Sequence, residues 1–174
     1  MLLWNQVNTQ FGNPEIQPNR KWKRCDQYII ELEKLENAIT NESRDNVIDS
    51  RFAKFRADKD SLVALRIYNL KDDKWENQIQ HKLGWRRITY QIGISATPDG
   101  YNQDKNVIRT QGIHFFNSLL AAYWFNVTRM PEDIEFTENG EIRRLFYNKS
   151  KTQKQFLSSF GFHNFKFTEN CLDN

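Results

Sequence analysis

The segment Gly112-Ile113-His114-Phe115-Phe116 runs directly into Leu119 to Phe125. The first part has the apolar density of a buried strand, and the second has the spacing of a short apolar helix. Together they call for a core in which a sheet and a helix share one apolar interior. Asn117 or Ser118 stands where a side-chain oxygen can accept from the free amides of the first helical turn.

A chain of 174 residues is the size of one domain. Hydrophobic residues make up 39% and aromatic residues 14%, which is enough to exclude water from a core and argues against disorder throughout. The net charge is +3, with 25 basic and 22 acidic residues interspersed, a balance too mild to favour nucleic acid as the main partner. No stretch approaches the length of a membrane span, and Met1-Leu2-Leu3-Trp4 is followed at once by Asn5 and Gln6, so no signal-peptide core is expected. Cys25 and Cys171 lie far apart without CxxC or Cys/His spacing. A reduced, intracellular chain without a metal is the expectation.

Residues 1–24 read as an extended arm ending in the basic run Arg20-Lys21-Trp22-Lys23-Arg24, the first candidate for partner contact. From Asp26 as a cap, Tyr28, Ile29, Leu32, Leu35 and Ile39 recur at helical spacing, which predicts an amphipathic helix. Strands are expected over Ser61 to Leu70, over Arg87 to Ile92 and after Gly112, with a turn at Pro98-Asp99-Gly100. Trp75 to Trp85 carries no clear signal. Ile134 to Phe136 and Ile142 to Phe146 flank Glu138-Asn139-Gly140, and Asn-Gly predicts a hairpin because both residues tolerate positive φ. A short helix over Lys151 to Ser159 and an aromatic strand or docking tail through Phe160, Phe162, Phe165 and Phe167 complete the reading. The expected fold is α+β: one domain over residues 25–174 with a mixed or mainly antiparallel sheet, an amphipathic N-terminal helix and an extended N-terminal arm.

Lys54-Phe55-Arg56-Ala57-Asp58, the strand through Val63 to Ile67, Tyr90-Gln91-Ile92-Gly93, Pro98-Asp99-Gly100-Tyr101-Asn102 and Thr110-Gln111-Gly112-Ile113-His114-Phe115-Phe116 follow one another in an order that resembles an uncharacterised module. That module occurs in Marseillevirus-like and Mimivirus-like large DNA viruses and in large phages, sometimes preceding MORN-like repeats. The resemblance covers about Phe52 to Trp124, with Gly112, His114, Phe115, Tyr123 and Trp124 as the family-like positions. Two departures stand out. The family often carries Cys-Ser before the glycine where this chain has Arg109-Thr110-Gln111, and its acidic pair at the helix start is Leu119-Leu120 here. The resemblance implies a viral origin, and no activity comes with it.

No Gly-x-Ser-x-Gly accompanies His114, and His81, His114 and His163 are isolated in sequence, so neither a nucleophile-base set nor a metal site is expected. Gly-Ile-His-Phe followed by Ala-x-x-Tyr also looks similar to the nicotinamide-holding segment of ADP-ribosyltransferases. That likeness implies an alternative in which Tyr123 stacks on nicotinamide and Glu138 or Glu141 stabilises an oxocarbenium charge. The preferred expectation is a non-enzymatic structural or interaction protein of a large DNA virus, a minor capsid-associated component located in the virion or host cytoplasm. Its partners would be other viral proteins, contacted through Arg20, Lys21, Trp22, Lys23 and Arg24 and through Phe165 and Phe167, with no cofactor. A nucleic-acid accessory role through Arg20 to Arg24 and Arg86-Arg87 is the remaining alternative.

Overall fold

In the computed structural model, which describes residues 3–125 and 134–145, the chain begins with a helix rather than an arm. Helix α1 (Trp4–Gln10) buries Trp4 and Val7 on one stripe, and Phe11 extends that stripe at the C-cap. The basic run is strand β1 (Arg20–Cys25), and the segment expected to be helical is strand β2 (Tyr28–Lys34). They form an antiparallel hairpin closed by Cys25 opposite Tyr28, which makes Asp26-Gln27 a two-residue turn. Asp26 sits there at φ 50°, as a turn residue and not a helix cap.

The helix expectation fails for a physical reason. Ile29 packs into one apolar cluster, with Trp22 and Tyr68, while Ile30 and Leu32 pack into another, with Phe55 and Phe115. A strand covered on both faces loses its two-residue alternation, and what remains imitates a helical stripe. The same burial overturns the arm: β1 is apolar at Trp22 and lies inside the sheet.

The remaining strands are β3 (Lys54–Ala57), β4 (Leu62–Asn69), β5 (Lys74–Glu76), β6 (Gln78–Leu83), β7 (Arg86–Gln91) and β8 (Ile113–Phe116). Helix α2 (Leu119–Trp124) and the ribbon β9 (Ile134–Phe136) with β10 (Ile142–Leu145) follow. The main sheet has the order β3-β8-β1-β2-β4-β5, and its pairings are antiparallel throughout. The fold is α+β and sheet-dominated, a single small domain. Strands β6 and β7 form a separate antiparallel ribbon, and β9 with β10 a second one. The strand expected over Ser61 to Leu70 is β4, that over Arg87 to Ile92 is β7, and the unclear stretch Trp75 to Trp85 supplies β5 and β6. The Asn139-Gly140 hairpin and the Gly112 strand are also present. The helix expected over Lys151 to Ser159 and the Phe160 to Phe167 segment lie outside the described residues.

Two apolar layers flank the sheet. On one side, α1 and α2 meet Trp22, Ile29, Tyr68 and Phe116. On the other, Ile79, Ile88 and Tyr90 of the β6–β7 ribbon cover Ile30, Ile67, Ile113 and Phe115. Ser118 caps α2 by accepting from the Ala121 amide at 3.2 Å, as its sequence position predicts.

Buried arginines order the long connections. The Arg56 side chain is wholly buried, and its guanidinium donates to the carbonyls of Asn102, Asp104, Val107 and Gln111, gathering the loop that leads into β8. Arg44 donates to the carbonyls of Lys54 and Glu138, tying the β9–β10 turn to β3. Gly112 ends the first loop at φ 140°, where an added Cβ would sit 3.1 Å from Arg56 Cβ and 3.2 Å from the Ala57 carbonyl. Glycine is required there for both reasons, and it sets how Thr110 and Gln111 approach the sheet.

Candidate functional site: a cationic pocket where two strands part

Strands β1 and β8 are neighbours, yet they register only at Trp22 opposite Phe116. Beyond that pair Lys23 Nζ donates to the His114 carbonyl at 2.8 Å, so a side chain satisfies the acceptor that continued strand pairing would have occupied. A cavity of about 350 Å³ lies here, lined by Lys23 and Arg24 of β1, Lys54 of β3 and Gly112 and His114 of β8. The ribbon adds His81, Leu83, Arg86 and Ile88, Asp26 and Asp99 supply carboxylates, and Thr110, Gln111 and Phe125 complete the wall.

The charges are unevenly paired. Asp99 meets Arg86 at 2.7 Å. Lys23 and Lys54 have no carboxylate within ion-pair distance among the described residues; the Lys54 ammonium lies 4.4 Å from the Phe125 ring centroid. Burial, with Lys23 next to it, pushes the Lys54 ammonium down to about 8 against a weaker opposing pull from Glu138. Burial lowers Lys23 as well. At neutral pH Lys54 still carries its charge.

Both histidines are held neutral. His114 Nε2 lies 2.9 Å from the Thr110 carbonyl, so Nε2 carries the proton and Nδ1 the lone pair. Burial first, then the Lys54 and Lys23 charges, push His114 down to about 3. His81 is lowered by burial and by Lys23, with Asp26 acting the other way, and its Nδ1 is buried without a partner among the described residues. Buried polar atoms are nearly always satisfied, so an orphan nitrogen in a pocket wall marks a place for a ligand or water.

Strand geometry disperses the basic run that was expected to act together. Lys23 and Arg24 reach the pocket, and Arg24 also donates to the Tyr123 carbonyl at 2.7 Å. Lys21 is buried and donates to Asn117 Oδ1 at 2.6 Å with Glu42 as its ion pair, Arg20 pairs with Glu31, and Trp22 is core. These five residues form no exposed contact strip. Of the family-like positions, Gly112 and His114 line the pocket, Phe115 packs on Phe55 with ring centroids 5.9 Å apart, and Tyr123 packs on Trp4 at 5.5 Å. Trp124 packs against the helix-side core. Phe165 and Phe167 lie outside the described residues.

Sequence reasoning missed Lys54, His81, Asp26 and Asp99 as pocket residues. Lys54 and Asp99 carried a signal, one at the start of the Lys-x-Arg-Ala segment and the other in the Pro-Asp-Gly turn. Among the described residues no group of His, Cys, Asp and Glu is arranged to hold a metal ion, and no helix is long and apolar enough to cross a membrane. Compared with protein-family models, with curated proteins and with solved structures, the chain finds no match.

Proposed function

We propose that the protein is a non-enzymatic interaction domain whose β1–β8 pocket binds a small anionic group. The observation that carries this is a pair of lysines, Lys23 buried and Lys54 half-buried, lining one cavity with no carboxylate within ion-pair distance among the described residues. Burying a charge without its counterpart is costly, and an anion between the two lysines supplies what the fold leaves out. The cavity lies at the lower end of the roughly 300–1,000 Å³ range of small-molecule sites, which suits a compact ligand.

Support for catalysis is thinner. Burial raises the Cys25 thiol to about 11, so it is no nucleophile at neutral pH. Tyr123 belongs to the core, Glu138 is engaged by Arg109, and the nicotinamide arrangement has no open aromatic face at Tyr123. The nucleic-acid reading loses its basic tether to the middle of the sheet. The resemblance of residues 52–124 to modules of large DNA viruses gives such a domain a setting among virion proteins, which mass spectrometry of purified capsids tests.

The direct test compares sulfate with chloride at matched ionic strength at pH 7, read as thermal midpoint. Sulfate is expected to stabilise the wild type above chloride and to lose that advantage in Lys54→Met. An equal response in both proteins, or none beyond chloride, overturns the proposal.

A further inference from the structure

Resting on the anion-pocket reading, we infer that the pocket takes a small phosphorylated amine, its phosphate monoester against Lys23 and Lys54 and its ammonium toward Asp26 and His81. Lys23 and Arg24 of β1 and Lys54 of β3 line the same cavity. A phosphate monoester carries close to two negative charges near neutral pH, because its second pKa is about 6, whereas a phosphodiester carries one. The gathering of basic side chains therefore favours a monoester over the singly charged phosphodiester of a phospholipid headgroup.

The same pocket also holds acidic groups. Of the two lining carboxylates, Asp99 is already taken by Arg86. The Asp26 carboxylate accepts no hydrogen bond and enters no ion pair among the described residues. Its position is fixed from the backbone: the turn holds Asp26 at φ 50°, and Arg24 Nε donates to the Asp26 carbonyl.

His81 is the independent pointer. Its buried Nδ1 has no partner among the described residues, and the ring lines the cavity together with Asp26 and Lys23. Neutral imidazoles at His81 and His114 each retain one lone pair, so this wall can accept hydrogen bonds from an ammonium. A bare anion would leave Asp26 and the His81 nitrogen unused.

The test is calorimetric titration of the full chain with O-phosphoethanolamine and with ethyl phosphate, which differ at the ammonium. The amine is expected to bind at least about fivefold more tightly, the range of a partly exposed charge-assisted contact. Asp26→Asn, which tolerates the same left-handed backbone, is expected to bring the two ligands to parity. Equal wild-type affinities overturn the ammonium assignment while the anion pocket stands. A preference that survives Asp26→Asn also overturns it. If neither compound binds, the pocket reading itself fails.

Discussion

Lys23 Nζ donates to the main-chain carbonyl of His114 across 2.8 Å, and so a side chain bridges the gap where β1 and β8 cease to pair. The same lysine is one of the charges that hold the His114 imidazole neutral. Structure and electrostatics of the pocket are thus coupled through one ammonium.

Removing that ammonium in Lys23→Ala leaves the His114 carbonyl without its donor, a loss of about 1–3 kcal/mol. With one repelling charge gone, the His114 pKa moves up from about 3, which an NMR titration of the imidazole reads. The linkage sign follows from the lowered folded value. The unfolded imidazole takes its proton near 6.5 and the folded one only near 3, so stability is complete above 6.5 and is lost as pH falls between them. His114→Gln should flatten that acid slope, which amounts to at most about 1.4 kcal/mol per pH unit.

Sulfate stabilisation is expected to fade as pH rises through about 8, since Lys54 gives up its proton there while sulfate remains a dianion. Bound anion favours the protonated lysine, so the midpoint of this loss should lie above 8. Thermal midpoints with sulfate and chloride at pH 7 and pH 10 measure the difference, and an unchanged sulfate effect at pH 10 would rule Lys54 out as the anion's partner.

Arg56→Lys keeps the charge and removes the fork. A single ammonium cannot reach the carbonyls of Asn102, Asp104, Val107 and Gln111 together, so several buried acceptors are stranded. Destabilisation of about 2 kcal/mol or more is expected in denaturant melts. Hydrogen exchange should accelerate over residues 101–111 before it does elsewhere.

Trp22→Ala tests the place of the basic run. A tryptophan on a solvated tether would lose nothing, whereas this one is 1% exposed and meets Phe11 edge-on at 5.1 Å. A cost of about 3–5 kcal/mol is expected. A melt within error of wild type would return the run to the surface.

Several elements were legible because their signals are local. The Asn139-Gly140 turn, the Ser118 cap and the strand opening at Gly112 each depend on residues a few positions apart, and each is present. The helix expected from Tyr28 to Ile39 failed because its pattern was read as one face when two faces are buried. Candidate site residues fared unevenly for a related reason. His114 was visible as a histidine among apolar neighbours, whereas His81 looked isolated because its companions Lys23 and Asp26 come from a distant hairpin.

Taken alone, the order of residues determined that this chain would build an α+β domain, where its clearest turn would fall and which segment would feed the second helix. Those properties follow from short-range backbone preference and from the amount of apolar surface to be buried. Tertiary structure alone decided that a basic run becomes a central strand, and that Lys23, Lys54, His81, His114 and Asp26 line one cavity. Strand order and the parting of β1 from β8 are global outcomes of packing two apolar layers, and no local pattern encodes which distant side chains that packing brings face to face.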